Sequence, residues 1–114
     1  MSDLQVANIT TDCTGNATEL AQFYAGLLGR AVNPGASEYF AALSGSPTLM
    51  FIRVPDRTPG KNSVHIDMHT DDIPAAVERA VSLGAKHVGD FDEYGARWAT
   101  LTDPEGNLFD IGAS

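Results

Sequence analysis

The stretch Val64-His65-Ile66-Asp67-Met68-His69 alternates apolar and polar side chains, a pattern typical of a β-strand with one face in a core. Because neighbouring strand residues point to opposite faces, its apolar members share one face, and its histidines and aspartate share the other. Asp72 then provides a helix N-cap, Pro74 lies in the first turn, and Gly84 ends an amphipathic helix. The pattern therefore predicts a strand followed by a helix that covers the apolar face.

The same succession occurs earlier in the chain. A second helix pattern begins at the N-cap Asn16, ends at Gly29 and carries an apolar stripe of Leu20, Phe23, Tyr24, Leu27 and Leu28. Leu28-Gly29 recurs 55 residues later as Leu83-Gly84, and Leu49-Met50-Phe51-Ile52 is answered 59 residues later by Leu108-Phe109-Asp110-Ile111. The remaining segments read as strands at 4–12, 30–33, 39–43, 48–54, 63–70, 86–91, 97–102 and 108–111. These matches predict an internal repeat of two βαβββ modules.

Length and composition place these modules in one globular α+β domain. The chain has 114 residues, of which 43% are hydrophobic and 19% charged, which suits a packed core and leaves no room for a further large domain. We expect module 1 at about 4–57, module 2 at about 62–114, and a linker at 55–62. The predicted fold is a curved eight-stranded mixed sheet around a cleft.

Charge and cysteine content exclude several classes of partner. The net charge of −8 repels phosphate backbones and anionic lipids, so we expect no nucleic-acid partner. No apolar stretch approaches the roughly 20 residues of a membrane span. The single cysteine, Cys13, cannot form an internal disulfide, and the first residues lack the pattern of a signal peptide, so we expect a cytoplasmic protein.

Polar residues on the predicted strands outline a small-molecule site. If the modules curve together, the inner face collects the following side chains: Asn8, Asp12, Phe51, Arg53, His65, Asp67, His69 and Asp110. Imidazole and carboxylate groups are ligands for Zn, Mn, Fe or Ni. Across the repeat, only His65 and Asp110 are strong ligands at mirrored positions; Asn8 is a weak neutral ligand, and Phe51 has no donor atom.

Each of these residues also has a plainer interpretation. His65 is a ligand or hydrogen-bond donor, or else a histidine that only packs. Asp110 is a metal ligand, a general base, or a carboxylate paired with Arg53 or Arg97. Solvent exposure is expected for His69 and His87, and a place in the core for Phe23, Tyr24 and Trp98. The run Asp103-Pro104-Glu105-Gly106-Asn107 supplies turn residues and is interpreted as a turn.

Three segments resemble the vicinal oxygen chelate superfamily of glyoxalases, bleomycin-resistance proteins and extradiol dioxygenases. They are Leu20-Ala21-Gln22-Phe23-Tyr24 with Leu27-Leu28-Gly29, the run from Gly60 to Asp72, and the closing Asp103-Pro104-Glu105-Gly106-Asn107-Leu108-Phe109-Asp110. Metal-dependent members of the family place ligands on their first, fourth, fifth and eighth strands. Those places are held here by Asn8, by Phe51 or its neighbour Ile52, by His65 and by Asp110.

The resemblance implies the fold and half of a metal site, with His65, Asp110 and Asn8 as an incomplete ligand set. His69 or Asp67 could complete a rearranged site, because both share the face of His65. The sequence therefore favours a small-molecule-binding protein without a complete catalytic metal site, with Asn8, Phe51, Arg53, His65, His69 and Asp110 as ligand-binding residues. By analogy with the family we also expect a homodimer.

Three alternatives stay open at this point. The first is a lyase, isomerase or dioxygenase that uses Zn, Mn, Fe or Ni to polarise a vicinal-oxygen substrate, with Asp67 and Asp110 as catalytic residues and Asp67 or Asp12 moving the proton. The second is a protein of the bleomycin-resistance type that sequesters a cationic drug, which the negative charge would attract. The third is a metal-independent enzyme that uses His65 and Asp110 for acid–base work.

Overall fold

The computed structural model of the protein describes residues 6–56, 64–93 and 95–113. Within these ranges the chain forms two helices and seven strands. In chain order they are β1 (Asn8–Cys13), α1 (Ala17–Leu28), β2 (Phe40–Leu43), β3 (Thr48–Arg53), β4 (Ile66–Thr70), α2 (Ile73–Leu83), β5 (Lys86–Glu93), β6 (Ala96–Thr102) and β7 (Leu108–Ala113). The predicted α+β class is confirmed.

The chain divides into two compact units, Met1–Thr58 and Pro59–Ser114. The first unit contains a three-stranded sheet of order β1-β3-β2, in which β1 runs parallel and β2 antiparallel to β3. The second contains a four-stranded sheet of order β4-β7-β6-β5, in which β4 runs parallel to β7 and the other neighbours are antiparallel. Both units thus pair their first strand with their last, as a repeated module requires.

Helix α1 forms where its cap and apolar stripe predicted it. The Asn16 side chain accepts a hydrogen bond from the Glu19 backbone N–H at 3.0 Å, and Gly29 ends the helix at a φ of 68°, which favours glycine. The helix packs on β2 and β3 and buries Phe23 and Tyr24. The Tyr24 ring stacks on Phe51 at 5.3 Å between centroids, and both side chains are buried in the core of the first unit.

Helix α2 repeats this arrangement with less burial. Asp72 is its N-cap, with the side chain accepting from the Ala75 N–H at 3.1 Å, and Gly84 ends the helix at a φ of 119°. The helix packs on β5, β6 and β7, above the buried residues Ala99, Leu101, Phe109 and Ile111. Among the residues of α2 itself, all of them described, Ala80 is buried and the others keep some exposure.

The strand predicted at 30–33 does not form. One backbone hydrogen bond joins this segment to β2, from the Asn33 N–H to the Ala42 carbonyl at 2.9 Å, and the Asn33 side chain bonds Ser44. Pro34 follows and has no N–H with which to continue a ladder. Within the described residues the sheets therefore contain three and four strands, instead of the eight predicted.

The other predicted strands form with shifted ends, and three predictions fall partly on residues outside the described ranges. These are the starts of the strands at 4–12 and 63–70, and most of the linker at 55–62. The turn predicted at 103–107 is confirmed: both oxygens of the buried Asp103 accept hydrogen bonds from within the turn, including the Asn107 N–H at 2.9 Å.

Neither helix has the length and apolar character that crossing a membrane would require, among the residues that the structure describes.

Candidate metal centre and cavity

The register of the second sheet brings three polar side chains to one face. Asp67 on β4 lies opposite Asp110 on β7, and Asp110 lies opposite Thr100 on β6. Residues in register on neighbouring strands share a face, so these three point the same way. The buried residues Leu101, Phe109 and Ile111 alternate with them and face α2. The polar face predicted for the 64–69 stretch is therefore the face that α2 does not cover.

His65, directly before β4, joins this face and forms the cluster His65–Asp67–Asp110. Its Nε2 lies 3.4 Å from Oδ1 of Asp67 and 3.3 Å from Oδ2 of Asp110. Each residue offers one ligand atom, and these atoms all lie within 4.8 Å of one another. The side chain of Asp67 is 73% exposed and that of Asp110 19% exposed. The cluster is thus anchored at Asp110 and open to ligands at Asp67.

Thr100 holds the other oxygen of Asp110. Its hydroxyl donates to Oδ1 of Asp110 at 2.6 Å, while Oδ2 faces His65. A short hydrogen bond to a carboxylate fixes the orientation of that group and satisfies one of its oxygens. Of the partners predicted for Asp110, neither Arg53 nor Arg97 takes part in this geometry; the carboxylate is held by a histidine and a threonine instead.

A cavity of about 470 Å³ opens beside the cluster. Its walls come from the exposed face of the second sheet and the turn between β5 and β6: Asp67, Met68, His69, Gly95, Ala96, Arg97, Trp98, Asp110, Gly112 and Ala113. His69 is exposed, as predicted, and belongs to this wall. Trp98 is half-buried instead of forming part of the core, because its register with Gly112 puts the ring on the polar face.

Asn8 and Asp12 lie on the first unit. In β1 the side chains of Asn8, Thr10 and Asp12 are exposed, and the alternating Cys13 is buried towards the core. The polar face predicted for this strand therefore forms. Asn8 as a ligand to a metal stays a prediction.

Phe51 lies on the opposite face from the one predicted. It is 1% exposed and stacks on Tyr24 beneath α1. Burial alternates in the same order along β3 and β7, so the half-buried Met50 corresponds to Asp110. The sequence had matched Asp110 to Phe51, the next residue. A shift of one residue exchanges the faces of a strand, so Phe51 belongs to the core and Met50 holds the place that corresponds to Asp110.

Arg53 shares the face of Phe51, since the two residues are two positions apart on β3, and it lies opposite the buried Cys13. Its guanidinium lies 3.8 Å from the Glu38 carboxylate and 5.6 Å from the centre of the Tyr39 ring. Hydrogen bonding to Glu38, and repulsion by its charge, raise the pKa of Tyr39 above the ordinary value of 10.0. Arg53 thus contacts neighbours within its own unit, away from the predicted polar face.

Reasoning from the sequence missed one member of the site and underrated another. Thr100 has no signal in its own segment, because its role depends on pairing between β6 and β7. The sequence predicts Asp67 mainly as a proton-transfer residue, and as a metal ligand only in a rearranged site. Its signal was present in the sequence, since it shares the strand face of His65 two residues away.

Comparisons with known proteins agree on the fold. A family model of the glyoxalase-like domain matches residues 8–112. A glyoxalase/bleomycin resistance protein/dioxygenase family enzyme from Burkholderia phytofirmans PsJN is similar in structure, with a TM-score of 0.81 and 19% identity, over 94% of this chain and 96% of its own. Sequence comparison with curated proteins finds no match.

Two further solved structures carry more specific descriptions. A fosfomycin resistance protein from Mesorhizobium loti has a TM-score of 0.76 and 13% identity, over 100% of this chain and 94% of its own. A lactoylglutathione lyase from Agrobacterium tumefaciens has a TM-score of 0.70 and 14% identity, over 96% of this chain and 93% of its own. At these identities the likeness shows a shared fold, and one fold supports many functions.

Proposed function

Since this chain belongs to the glyoxalase-like domain family, we propose that it binds a small molecule in the cavity beside Asp110 and recognises it through a divalent cation. The ligands of the cation are His65, Asp67 and Asp110. The observation that carries the proposal is the convergence of their three ligand atoms within 4.8 Å of one another, with Asp67 and Asp110 in the wall of that cavity. The second carboxylate strengthens the half site that the sequence predicted.

The two distances from His65 suit a metal ion. Zn²⁺ bonds nitrogen and oxygen ligands at about 2.0–2.2 Å, so neighbouring ligand atoms around it lie about 3–3.5 Å apart. The Nε2 of His65 lies 3.4 Å and 3.3 Å from the two carboxylate oxygens. One imidazole and two carboxylates form a donor set that also suits Mn, Fe and Ni. The residues present therefore fit a divalent cation.

The two carboxylates of the proposed site differ in how firmly they are held. Asp110, held by Thr100, provides a fixed ligand, and the exposed Asp67 provides an adjustable one. A cation with three protein ligands keeps positions open for ligand oxygens and acts there as a Lewis acid. The ring of Trp98 supplies apolar contact in the same cavity. These contacts favour a small molecule with adjacent oxygens and an apolar part.

A second candidate function is catalytic, and the exposure of Asp67 favours it. In this alternative His65 and Asp110 hold the cation, and the Asp67 carboxylate accepts a proton from a substrate with vicinal oxygens, as in a lyase or isomerase. The description of the Agrobacterium neighbour as a lyase suggests trying such substrates first. An Asp67→Asn variant that retains the cation and loses turnover would separate this candidate from pure binding.

The experiment is a titration of the untagged, chelator-treated protein with Zn²⁺, Mn²⁺ and Ni²⁺ by calorimetry, together with thermal melting. We expect one cation per chain, and at a concentration 100-fold above Kd a stabilisation of about 2.7 kcal/mol. His65→Ala and Asp110→Asn should each abolish saturable binding. Elemental analysis of protein purified without chelator should find the same stoichiometry.

A matched control is the exposed pair His87–Asp90, whose Nε2 and Oδ1 lie 2.8 Å apart. This pair has the same chemistry, but within the described part of the chain it does not belong to a group of three possible metal ligands. His87→Ala and Asp90→Asn should leave the titration unchanged. The metal proposal would be contradicted if variants of both pairs weakened the titration equally, or if the native chain bound no stoichiometric cation. Binding of a small molecule without a metal would then be the function to test.

A further inference from the structure

The face of the second sheet that α2 does not cover carries a second row of residues beside the candidate site. Asp67, Asp110 and Thr100 form the first row across three neighbouring strands. The second row lies two positions away along each strand, on the same face, and its members in order across the sheet are His69, Gly112, Trp98 and Phe91. The first three of these line the cavity of about 470 Å³.

The aromatic rings of Phe91 and Trp98 are stacked at one end of this row. Their centroids lie 5.4 Å apart and their planes 19° apart. That separation is close to the spacing of about 4.7–4.9 Å between neighbouring strands, so the stack runs along the row. One face of the Trp98 ring is therefore covered by Phe91, and the other is turned towards Gly112, the next position in the row.

Gly112 leaves a gap in the row, because it has no side chain between the Trp98 ring and the His69 imidazole. The strands that carry these two rings lie about 9.5 Å apart, which is twice the spacing of neighbouring strands. A ring above Gly112 would lie about 4.8 Å from each of them, within the range of about 4.5–7 Å that separates the centroids of aromatic pairs. We call this gap the Gly112 slot.

The backbone itself does not require glycine at position 112. Gly112 is not among the glycines with positive φ, and a Cβ there would make ordinary contacts, the nearest at 3.5 Å from the Arg97 carbonyl oxygen. A glycine inside a strand weakens the strand, and it often marks a place where a ligand approaches the backbone. The slot begins two residues after Asp110 on β7, about 6.7 Å away, so one small molecule can reach both.

We propose that Gly112 sets the specificity of the candidate site by admitting one aromatic ring of a ligand whose adjacent oxygens bind at the His65–Asp67–Asp110 cluster. The ring continues the Phe91–Trp98 stack, and His69 flanks its other face. A side chain at position 112 would occupy the place of the ring. The inference rests on the proposed function for the cation and the oxygens, and it adds the aromatic ring to the class of ligand.

Mandelate and lactate test the slot, because both carry a hydroxyl next to a carboxylate and they differ in a phenyl against a methyl group. We would titrate the Zn²⁺-loaded protein with each acid by calorimetry, and follow the fluorescence of Trp98, the only tryptophan in the chain. We expect mandelate to bind about tenfold more tightly than lactate, from burial and stacking of the ring.

Variants at position 112 locate the ring. Gly112→Val should abolish the preference for mandelate and leave the affinities for lactate and Zn²⁺ unchanged. Gly112→Ala should have an intermediate effect, and its methyl group fits the strand without displacing a neighbour. Thr102→Val changes the same face of β6 outside the lining of the cavity, so it should leave the preference intact.

A titration without metal tests the slot separately from the cation. In the chelator-treated chain, benzyl alcohol carries the ring without an anionic group. It should change the fluorescence of Trp98 saturably in the native protein, and the change should be lost in Gly112→Val. Should Gly112→Val fail to fold, as judged by thermal melting, Gly112→Ala makes the same comparison.

Two results would overturn the inference. One is equal affinity of the native Zn²⁺-loaded protein for mandelate and lactate, which would leave the proposed cation site intact. The other is a preference for mandelate, or a response to benzyl alcohol, that persists unchanged in the variants of Gly112. If the native chain binds no Zn²⁺, the proposed function fails, and the response to benzyl alcohol still shows whether the slot binds a ring.

Discussion

Asp110 is the residue on which the candidate site depends most, because its two oxygens have different neighbours. Oδ1 accepts the Thr100 hydroxyl at 2.6 Å, and Oδ2 lies 3.3 Å from Nε2 of His65. The carboxylate is therefore oriented before any ligand arrives. Preorganisation of this kind raises the affinity of a metal site, since less conformational freedom is lost on binding.

Removal of the Thr100 hydroxyl tests this orientation. We expect Thr100→Val to weaken binding of Zn²⁺ or Mn²⁺ by about 10–100-fold, the usual effect of losing a partner that orients a metal ligand. Thr100→Ser keeps the hydroxyl and should restore most of the affinity. Calorimetric titration of the three proteins makes the comparison.

Thermal melting without metal distinguishes positioning from folding in this series. If Thr100 only stabilises the sheet, the melting temperature of the metal-free Thr100→Val variant falls and its metal affinity stays that of the native chain. If Thr100 positions Asp110, the affinity falls by more than the loss of stability explains.

At the scale of the elements, the two helices have the same kinds of N-cap and C-cap but differ in how many of their residues are buried. Both begin with a side chain that accepts a backbone N–H and end with glycine at positive φ. Helix α1 buries five residues, including two aromatic rings, whereas α2 buries Ala80. Because α2 has little burial to hold it, its cap contributes a larger share of its stability.

Replacement of Asp72 tests the contribution of this cap. Its carboxylate accepts the Ala75 N–H at 3.1 Å, so Asp72→Ala should lower the free energy of unfolding by about 1 kcal/mol. The neighbouring Asp71→Ala removes the same charge without touching the cap and should change stability by less than about 0.5 kcal/mol. Urea denaturation of both variants measures the difference. Equal losses would mean that charge, and not capping, accounts for the effect.

At the scale of the whole molecule, all three proposed metal ligands come from the second unit, His65 and Asp67 from one part of its chain and Asp110 from another. The polar strand face of the first unit carries Asn8 and Asp12. A cation bound by these residues would therefore link β4 to β7, which lie side by side in one sheet, and would stabilise the second unit.

Hydrogen exchange followed by mass spectrometry tests this claim on the intact chain. Added Mn²⁺ should slow exchange in β4, β6 and β7 and leave β1, β2 and β3 unchanged, because ligand binding suppresses local opening around the ligands. Equal protection of β1 would add Asn8 to the ligand set, as the sequence predicted. Asp110→Asn should remove the effect in every strand.

Much of this fold could be predicted from local signals. The two caps, the two terminal glycines, the apolar stripes and the alternation at 64–69 specify the helices and the faces of β4, because each acts over a few residues. His65, Asp67 and Asp110 were recognised in the same way as polar residues at alternating positions. Segment 30–33 shows the limit, since it is predicted as a strand, whereas Pro34 has no N–H with which to continue the ladder.

The sequence by itself determined the order of the elements, the polarity of their faces and the residue types available for chemistry. Only the tertiary structure decided which strands pair and in which register, and with it that Thr100 holds Asp110, that Phe51 is covered by α1, and that Trp98 lines the cavity beside the cluster. The physical reason is that a strand fixes its own alternation locally, whereas a shift of one residue against a partner distant in the chain exchanges its faces.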